Sequence, residues 1–156
     1  MRFLVLAVGT KMPSWVDEAF NDYARRLPKP WRLELIEIRA EPRNEGKPVA
    51  AMMRSEAARL TAALPPGSLR VALDEHGRDF TSQALARWVD ERQMEERDVA
   101  FLIGGPDGLD PDLVAGASLK LRLSSFTLPH ALARVVLAEQ LYRAITILKG
   151  HPYHRE

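Results

Sequence analysis

Short apolar runs alternate with segments of helical period along nearly the whole chain, and this alternation is what most limits the folds open to it. The runs are Phe3 to Val8, Leu33 to Ile38, Leu69 to Leu73, Val99 to Ile103 and Leu119 to Leu128, each rich in Val, Leu, Ile or Phe. They read as strands that are apolar throughout rather than alternating. That pattern predicts an α/β fold with a mainly parallel sheet and helices on both faces. The first helix begins at Pro13, suited to an opening turn, and carries Trp15, Ala19, Phe20 and Tyr23 before stopping at Pro28. The second runs from Pro48 to Leu64 and ends at Pro65-Pro66-Gly67. The third spans Ser82 to Glu95 with Thr81 or Ser82 as N-cap, and a shorter fourth follows Pro111. With 156 residues, 46% of them hydrophobic, the chain can build one domain with a real core but not two. No linker or repeat divides residues 1–156. The stretch from Ala40 to Lys47, which includes Asn44 and Glu45, reads as a mobile, solvated connection.

The last helix, from about Leu132 to Leu148, is unusually apolar. Leu137, Leu141, Ile145 and Leu148 form one stripe, and Val135, Val136, Ala138 and Tyr142 widen it. A chain this small has few layers to bury so wide a face, so part of it is expected to pack on a second subunit. Glu139 and Arg143, one turn apart, are placed to pair. After Gly150, a helix-ending residue, the chain closes on His151-Pro152-Tyr153-His154-Arg155-Glu156. Loose ends normally carry small solvated residues, whereas this one carries imidazoles, a phenol, a guanidinium and a carboxylate, the side chains of active sites.

Several chemistries are removed by what the chain lacks. It has no cysteine, which excludes disulfides, thiolate nucleophiles and thiolate zinc sites. The opening Met1 to Gly9 has too short an apolar run and no cleavage pattern for a signal peptide, and no run is long enough to span a bilayer. A soluble, cytoplasmic protein with no membrane partner is expected. A formal charge of +1 argues against gripping nucleic acid by bulk electrostatics. There is no G-x-x-x-x-G-K-[ST], no G-x-G-x-x-G and no G-x-S-x-G, which disfavours P-loop NTPases, ordinary Rossmann dehydrogenases and serine hydrolases. His151 and His154, with His76 or His130, could be imagined around a metal. A three-residue spacing outside a helix is poor preorganisation, so no metal is expected.

In a parallel α/β sheet, ligands bind beyond the carboxyl ends of the strands. Three loops there carry suggestive residues: Leu73-Asp74-Glu75-His76-Gly77-Arg78, Ile103-Gly104-Gly105-Pro106-Asp107-Gly108, and Ser124-Ser125-Phe126-Thr127-Leu128-Pro129-His130. Gly104 and Gly105 allow the backbone to approach a flat ligand closely, although a GGPDG alone fits a tight strand-to-helix turn as well. Ser124 and Ser125 offer hydroxyls to a ligand or to the turn. His130 sits near a helix start, where it caps, packs or lines a pocket mouth.

Six blocks, in order and across the whole length, resemble the ribosomal RNA large subunit methyltransferase H family. They are Val8-Gly9-Thr10-Lys11-Met12-Pro13, Leu35-Ile36-Glu37-Ile38, Leu102-Ile103-Gly104-Gly105-Pro106-Asp107-Gly108-Leu109, Thr127-Leu128-Pro129-His130, Glu139-Gln140-Leu141-Tyr142-Arg143-Ala144 and His151-Pro152-Tyr153-His154-Arg155-Glu156. The resemblance implies a SPOUT-class α/β methyltransferase with a C-terminal trefoil knot, a topology that composition and periodicity do not suggest. It implies S-adenosylmethionine as methyl donor and a homodimer with active sites at the subunit interface. The implied reaction is methylation of N3 of a pseudouridine in a 23S rRNA stem-loop on the assembled ribosome. Carried over by motif, the cofactor positions are Leu73, Gly104, Gly105, Leu123, Ser124, Ser125, Phe126, Thr127 and Leu128.

That chemistry gives the tail a task. A pseudouridine N3 must lose a proton before it can accept a methyl group, so a base or an anion-stabilising cation contributes. His154 is the expected base, Tyr153 a stacking or hydrogen-bonding group, and Arg155 a partner for phosphate or anion, with His130 in support. Glu156 and the terminal carboxylate are alternative bases. Arg25, Arg26, Lys29 and Arg32, together with Arg39, Arg43 and Lys47, form local basic clusters that suit rRNA contact or plain solvation. Two rivals are a noncatalytic ribosome- or RNA-binding module and another small-molecule transferase. The first leaves GGPDG and the titratable tail without purpose, and the second lacks a cofactor motif.

Overall fold

The computed structural model describes residues 1–43 and 46–155. Asn44, Glu45 and Glu156 lie outside the described residues, and with them part of the expected mobile connection and one alternative base. Five strands, β1 (Arg2–Val8), β2 (Arg32–Ile38), β3 (Leu69–Asp79), β4 (Val99–Ile103) and β5 (Leu119–Arg122), form one sheet in the order β2-β1-β4-β3-β5. Every pairing is parallel. Strands β1 and β4 are central, and Phe3 to Val8 and Val99 to Ile103 are all buried, as their unbroken apolar sequence requires.

Side-chain alternation along β1 assigns the two faces. Phe3, Val5 and Ala7 join a core built with α1 (Ser14–Arg26), α3 (Ser82–Gln93) and α5 (His130–Lys149). Leu4, Leu6 and Val8 join a second core with Leu60 of α2 (Val49–Ala63) and Leu113 of α4 (Pro111–Ala115). Each fully buried Leu or Phe contributes about 1.5–3 kcal/mol relative to an exposed one. The sheet is therefore sandwiched between helices, as the sequence predicts.

Helix ends follow local chemistry. Thr81 Oγ1 accepts from Ala84 N at 3.0 Å and caps α3; Asp110 accepts from Asp112 N at 3.2 Å, with Pro111 in the first turn of α4. Pro13 and Pro48 stand at the cap positions of α1 and α2. Gly150, at φ 68°, takes the left-handed conformation that closes α5, and His151 N bonds Thr146 O at 2.9 Å.

Four sequence expectations need correction. The run Leu119 to Leu128 is a strand only to Arg122. From Leu123 it leaves the sheet, and the Ser124 hydroxyl accepts from Phe126 N at 2.9 Å, a local turn that competes with pairing. The third strand does not end at Leu73. Residues 74–77 bulge out, and Arg78 and Asp79 return to pair with Leu121 and Arg122. Gly77 permits that return, because a Cβ there would stand 2.7 Å from Lys120 C.

The broad apolar face of α5 is absorbed mostly within the chain. α5 lies between α1 and α3 against the sheet, with Leu137, Ala138, Leu141, Ala144 and Ile145 fully buried. The second subunit is therefore not needed to cover this stripe; Leu132, Val135 and Val136, nearer the helix start, remain partly accessible. Finally, the connection after β2 is not simply solvated. Glu41 is buried and ion-paired to Lys47 at 2.9 Å and to Arg59 at 2.5 Å.

Candidate active site

At the carboxyl ends of β4 and β5 and the bulge within β3, three segments surround a cavity of about 1020 Å³. The bulge after Leu73 supplies Asp74, Glu75 and His76; the glycine turn supplies Gly104, Pro106, Asp107 and Gly108; the segment Leu123 to Leu128 supplies a third wall, completed by His130 and Ala133 of α5. Parallel register is what gathers them. With β3 and β5 both paired in the same direction and β4 next to β3, all three loops leave the sheet on one side.

The glycine turn is tight. Gly108 N bonds Gly105 O at 3.0 Å, and a Cβ on Gly104 would come within 2.6 Å of Leu109 N. Only glycine lets the two limbs touch there. Gly105 packs the other way, so that a Cβ would meet Val8 Cγ1 at 3.0 Å and Glu56 Oε1 at 3.3 Å. Beside the cavity, Asp79 and Arg122 are joined at 2.5 Å, which holds the Asp79 carboxyl below the ordinary aspartate range.

The model of a family described as "Predicted SPOUT methyltransferase" matches residues 1–154. Proteins named "Ribosomal RNA large subunit methyltransferase H" from Bordetella pertussis and Paraburkholderia xenovorans are 58% and 55% identical to the chain, each over 99% of both lengths. The chain belongs to the SPOUT methyltransferases, in the ribosomal RNA large subunit methyltransferase H family. Solved structures with the same fold include TrmJ from Z. mobilis ZM4, with a TM-score of 0.54 at 19% identity over 92% of this chain and 68% of that one. A probable methylase family protein from Haemophilus influenzae Rd KW20 also has a TM-score of 0.54, at 13% identity over 97% and 69%.

Within this SPOUT methyltransferase, Leu73, Gly104, Leu123, Ser124, Ser125, Phe126, Thr127, Leu128 and His130 all line the cavity, whereas Gly105 lies behind its wall. Phe126 is an exposed aromatic ring, at 82%. The tail is elsewhere. Pro152–Arg155 form a single 3-10 turn that folds back along α5. Tyr153 packs edge-on against Tyr142 at 4.7 Å between centroids and donates to Glu139 Oε1 at 3.2 Å. Glu139 stands roughly 13 Å along the helix axis from His130. None of Tyr153, His154 and Arg155 lines the chain's own cavity.

Burial, aided by contact with Tyr23 and Glu139, pushes the Tyr153 phenol well above its ordinary value, so at neutral pH it is a hydrogen-bond donor and not a base. His154 Nδ1 is buried with no hydrogen-bond partner among the described residues. His151 Nδ1 accepts from Tyr153 N at 3.2 Å. Among the described residues no three His, Asp or Glu side chains gather as a metal-ligand set, and no helix is long and apolar enough to cross a membrane.

Two buried ionic residues near the strand ends escape a reading of the sequence by period alone. Arg134, fully buried, donates to Glu37 Oε2 at 2.7 Å and to Gly9 O at 2.7 Å, joining the start of α5 to the ends of β1 and β2. Glu56, 2% exposed, is ion-paired with Arg43. The available signal was positional. Arg134 extends the stripe Leu137, Leu141, Ile145 by one turn, and Glu56 falls between Met52 and Leu60, so each charge stands where an apolar residue is due.

Proposed function

We propose that this chain is an S-adenosylmethionine-dependent methyltransferase of one domain that methylates N3 of a pseudouridine in a 23S rRNA stem-loop, acting in the cytoplasm as a homodimer on assembled ribosomes. The observation that carries this reading is the convergence of the three strand-end loops on one cavity in a chain 58% identical to named large-subunit rRNA methyltransferases. The trefoil knot implied by that kinship belongs to the same proposal, supported by the parallel order β2-β1-β4-β3-β5.

The residues present fit the cofactor. The cavity is at the upper end of the roughly 300–1,000 Å³ that small-molecule sites occupy. Leu73, Ile103, Leu121 and Leu123 offer apolar walls to a flat adenine, and Asp74, Glu75 and Asp107 offer carboxylates to an ammonium and a sulfonium. Gly104, where a side chain would collide with Leu109 N, keeps the backbone bare at the wall. When bound, S-adenosylmethionine supplies a methyl group on a positively charged sulfur, already activated toward displacement. What remains for the protein is alignment of the acceptor and removal of one proton.

For those tasks the tail provides His154 as base, directly or through water, Tyr153 as a donor or stacking ring, and Arg155 as a cation for phosphate or for the developing N3 anion, with His130 at the cavity mouth. Because the tail lies along α5 away from its own cavity, these groups serve the cavity of the second subunit. A formal charge of +1 per chain leaves little electrostatic hold on free RNA, so the ribosome's shape selects the site.

Nucleoside mass spectrometry of rRNA from cells lacking the gene tests the reaction. One methylated pseudouridine should vanish and return on complementation, and unchanged rRNA sinks the proposal. Efficient methylation of an isolated hairpin would remove the ribosome as the substrate.

A further inference from the structure

The stripe Met52, Glu56, Leu60 on α2 places a carboxylate in an apolar row, 2% exposed. A buried carboxylate is costly unless it is paired and hydrogen-bonded. Glu56 accepts from Glu41 N at 2.9 Å and from both terminal nitrogens of Arg43, at Oε1 over 3.1 Å and at Oε2. Arg43 reaches onward, its Nε donating to Asp107 Oδ2 at 3.1 Å. Asp107 belongs to the Gly104-to-Gly108 turn that walls the cavity, and Glu56 also lies directly beneath Gly105 of the same turn. A helix on the sheet face opposite α5 thus holds this turn from below by contact and from the side through Arg43.

We infer that Glu56 and Arg43 are positioning residues for the cofactor: through Asp107 and the Gly105 backbone they fix the glycine turn in the shape that lines the cavity. This rests on the reading of the cavity as the S-adenosylmethionine site. Neither side chain lines the cavity itself. An apolar residue at 56 would fill the stripe without any desolvation penalty, so what the ion pair adds is a fixed geometry. A planar guanidinium bonded to two carboxylates defines one arrangement of the turn, which a hydrophobic contact would not.

The test uses Glu56→Gln and Arg43→Met in the full chain, with Asp98→Asn as control. Asp98 pairs with Arg2 at 3.0 Å at the amino ends of the strands, so its loss lowers stability away from the cavity. In cofactor-free protein, hydrogen exchange at the Gly108 amide, which is bonded to Gly105 O, should quicken about tenfold in both variants and not in the control. Calorimetry should give a Kd for S-adenosylmethionine raised about tenfold, while the single-turnover rate at saturating cofactor and ribosome stays within about twofold. The double variant should be no worse than the poorer single one, because the two act as a unit. Unchanged exchange and Kd in Glu56→Gln overturn the inference, as does an equal loss in Asp98→Asn. If Glu56→Gln does not fold, Arg43→Met, on a partly exposed residue, decides alone. Should the wild type bind no S-adenosylmethionine, the cofactor reading falls, while exchange at Gly108 still judges the positioning role.

Discussion

Tyr153 donates its phenolic hydrogen to Glu139 Oε1 at 3.2 Å, one of the contacts that set the tail against the middle of α5 and away from the cavity beside His130. Glu139 also accepts from Arg143 Nε at 2.8 Å, and the Arg143 guanidinium lies 5.0 Å from the Tyr153 ring centre. Ring, cation and carboxylate thus form a docking point for the tail on its own chain.

Removing Tyr153 to Glu156 should therefore cost little stability and nearly all activity. The lost edge-on ring contact is worth about 0.5–1.5 kcal/mol, a few degrees of Tm in a chain of this size. Methyl transfer should fall to background while cofactor affinity stays within about twofold, since the tail's groups are assigned to the acceptor and its proton and none of them lines the chain's own cavity. Thermal melts, calorimetry and single-turnover assays on ribosomes check the three parts; a truncated protein with full activity would falsify the tail's role.

The same docking point has a pH signature. Tyr153 has its folded pKa raised above the unfolded value of about 10, so its contribution is complete below pH 10 and disappears as pH climbs toward the folded value. Tail proteolysis should accelerate above pH 10 in the wild type, and Tyr153→Phe should show no such step.

Arg134 is the buried cation whose loss should hurt most. Arg134→Met leaves Gly9 O and Glu37 without their donor, a change that costs about 3 kcal/mol, at the low end for a broken buried pair because Glu37 is partly exposed. Arg134→Lys should not restore it, since one ammonium cannot span both acceptors in the guanidinium's geometry. Denaturant unfolding measures this, and Arg134→Met with Glu37→Gln together should recover part of the loss.

How far the sequence discloses all this depends on the range of the forces involved. Elements set by local chemistry are legible: the cap at Thr81, the start of α4 at Pro111, the stop at Gly150, and the fully apolar β4 are found within a residue or so of where the pattern puts them. Long-range pairing is not. Asp74 to Gly77 read as a loop because nothing local reveals that Arg78 and Asp79 will rejoin Leu121 and Arg122, and the apolar run from Leu119 does not by itself disclose that pairing stops at Arg122. Arg134 and Glu56 were hidden by their class, a charge inside an apolar period being readable as an interruption. The cavity-lining loops were legible because a parallel sheet sends its loops to one side, whereas the tail's address depends on the length of α5.

Glu41 supplies an acid-sensitive anchor for the segment after β2. Its hydrogen bonds with Lys47 and Arg59 hold its carboxyl below the usual glutamate value near 4.5. A depressed pKa contributes stability that is present above the unfolded value and lost as pH falls through the folded one. Stability should thus decline on acidification from about pH 5 downward, and Glu41→Gln, with no charge to lose, should flatten that limb. Melting temperatures at a series of pH values read both; an identical acid limb in the variant rules out this anchor.

Two glycine substitutions separate backbone strain from loss of the cavity. Gly67, at φ 77° in the turn after α2, has open space where a methyl group would project, so Gly67→Ala pays only the left-handed backbone cost of roughly 1–2 kcal/mol. Gly104 lacks a positive φ, but its added methyl would stand 2.6 Å from Leu109 N, so Gly104→Ala must force the two limbs of the glycine turn apart. The turn walls the cavity, and the displacement should weaken S-adenosylmethionine binding by more than about tenfold, or about 1.4 kcal/mol. Gly67→Ala should leave that affinity unchanged. Calorimetry on the two variants, with melts to equalise for stability, makes the comparison, and equal cofactor affinity in both would detach the glycine turn from the binding site.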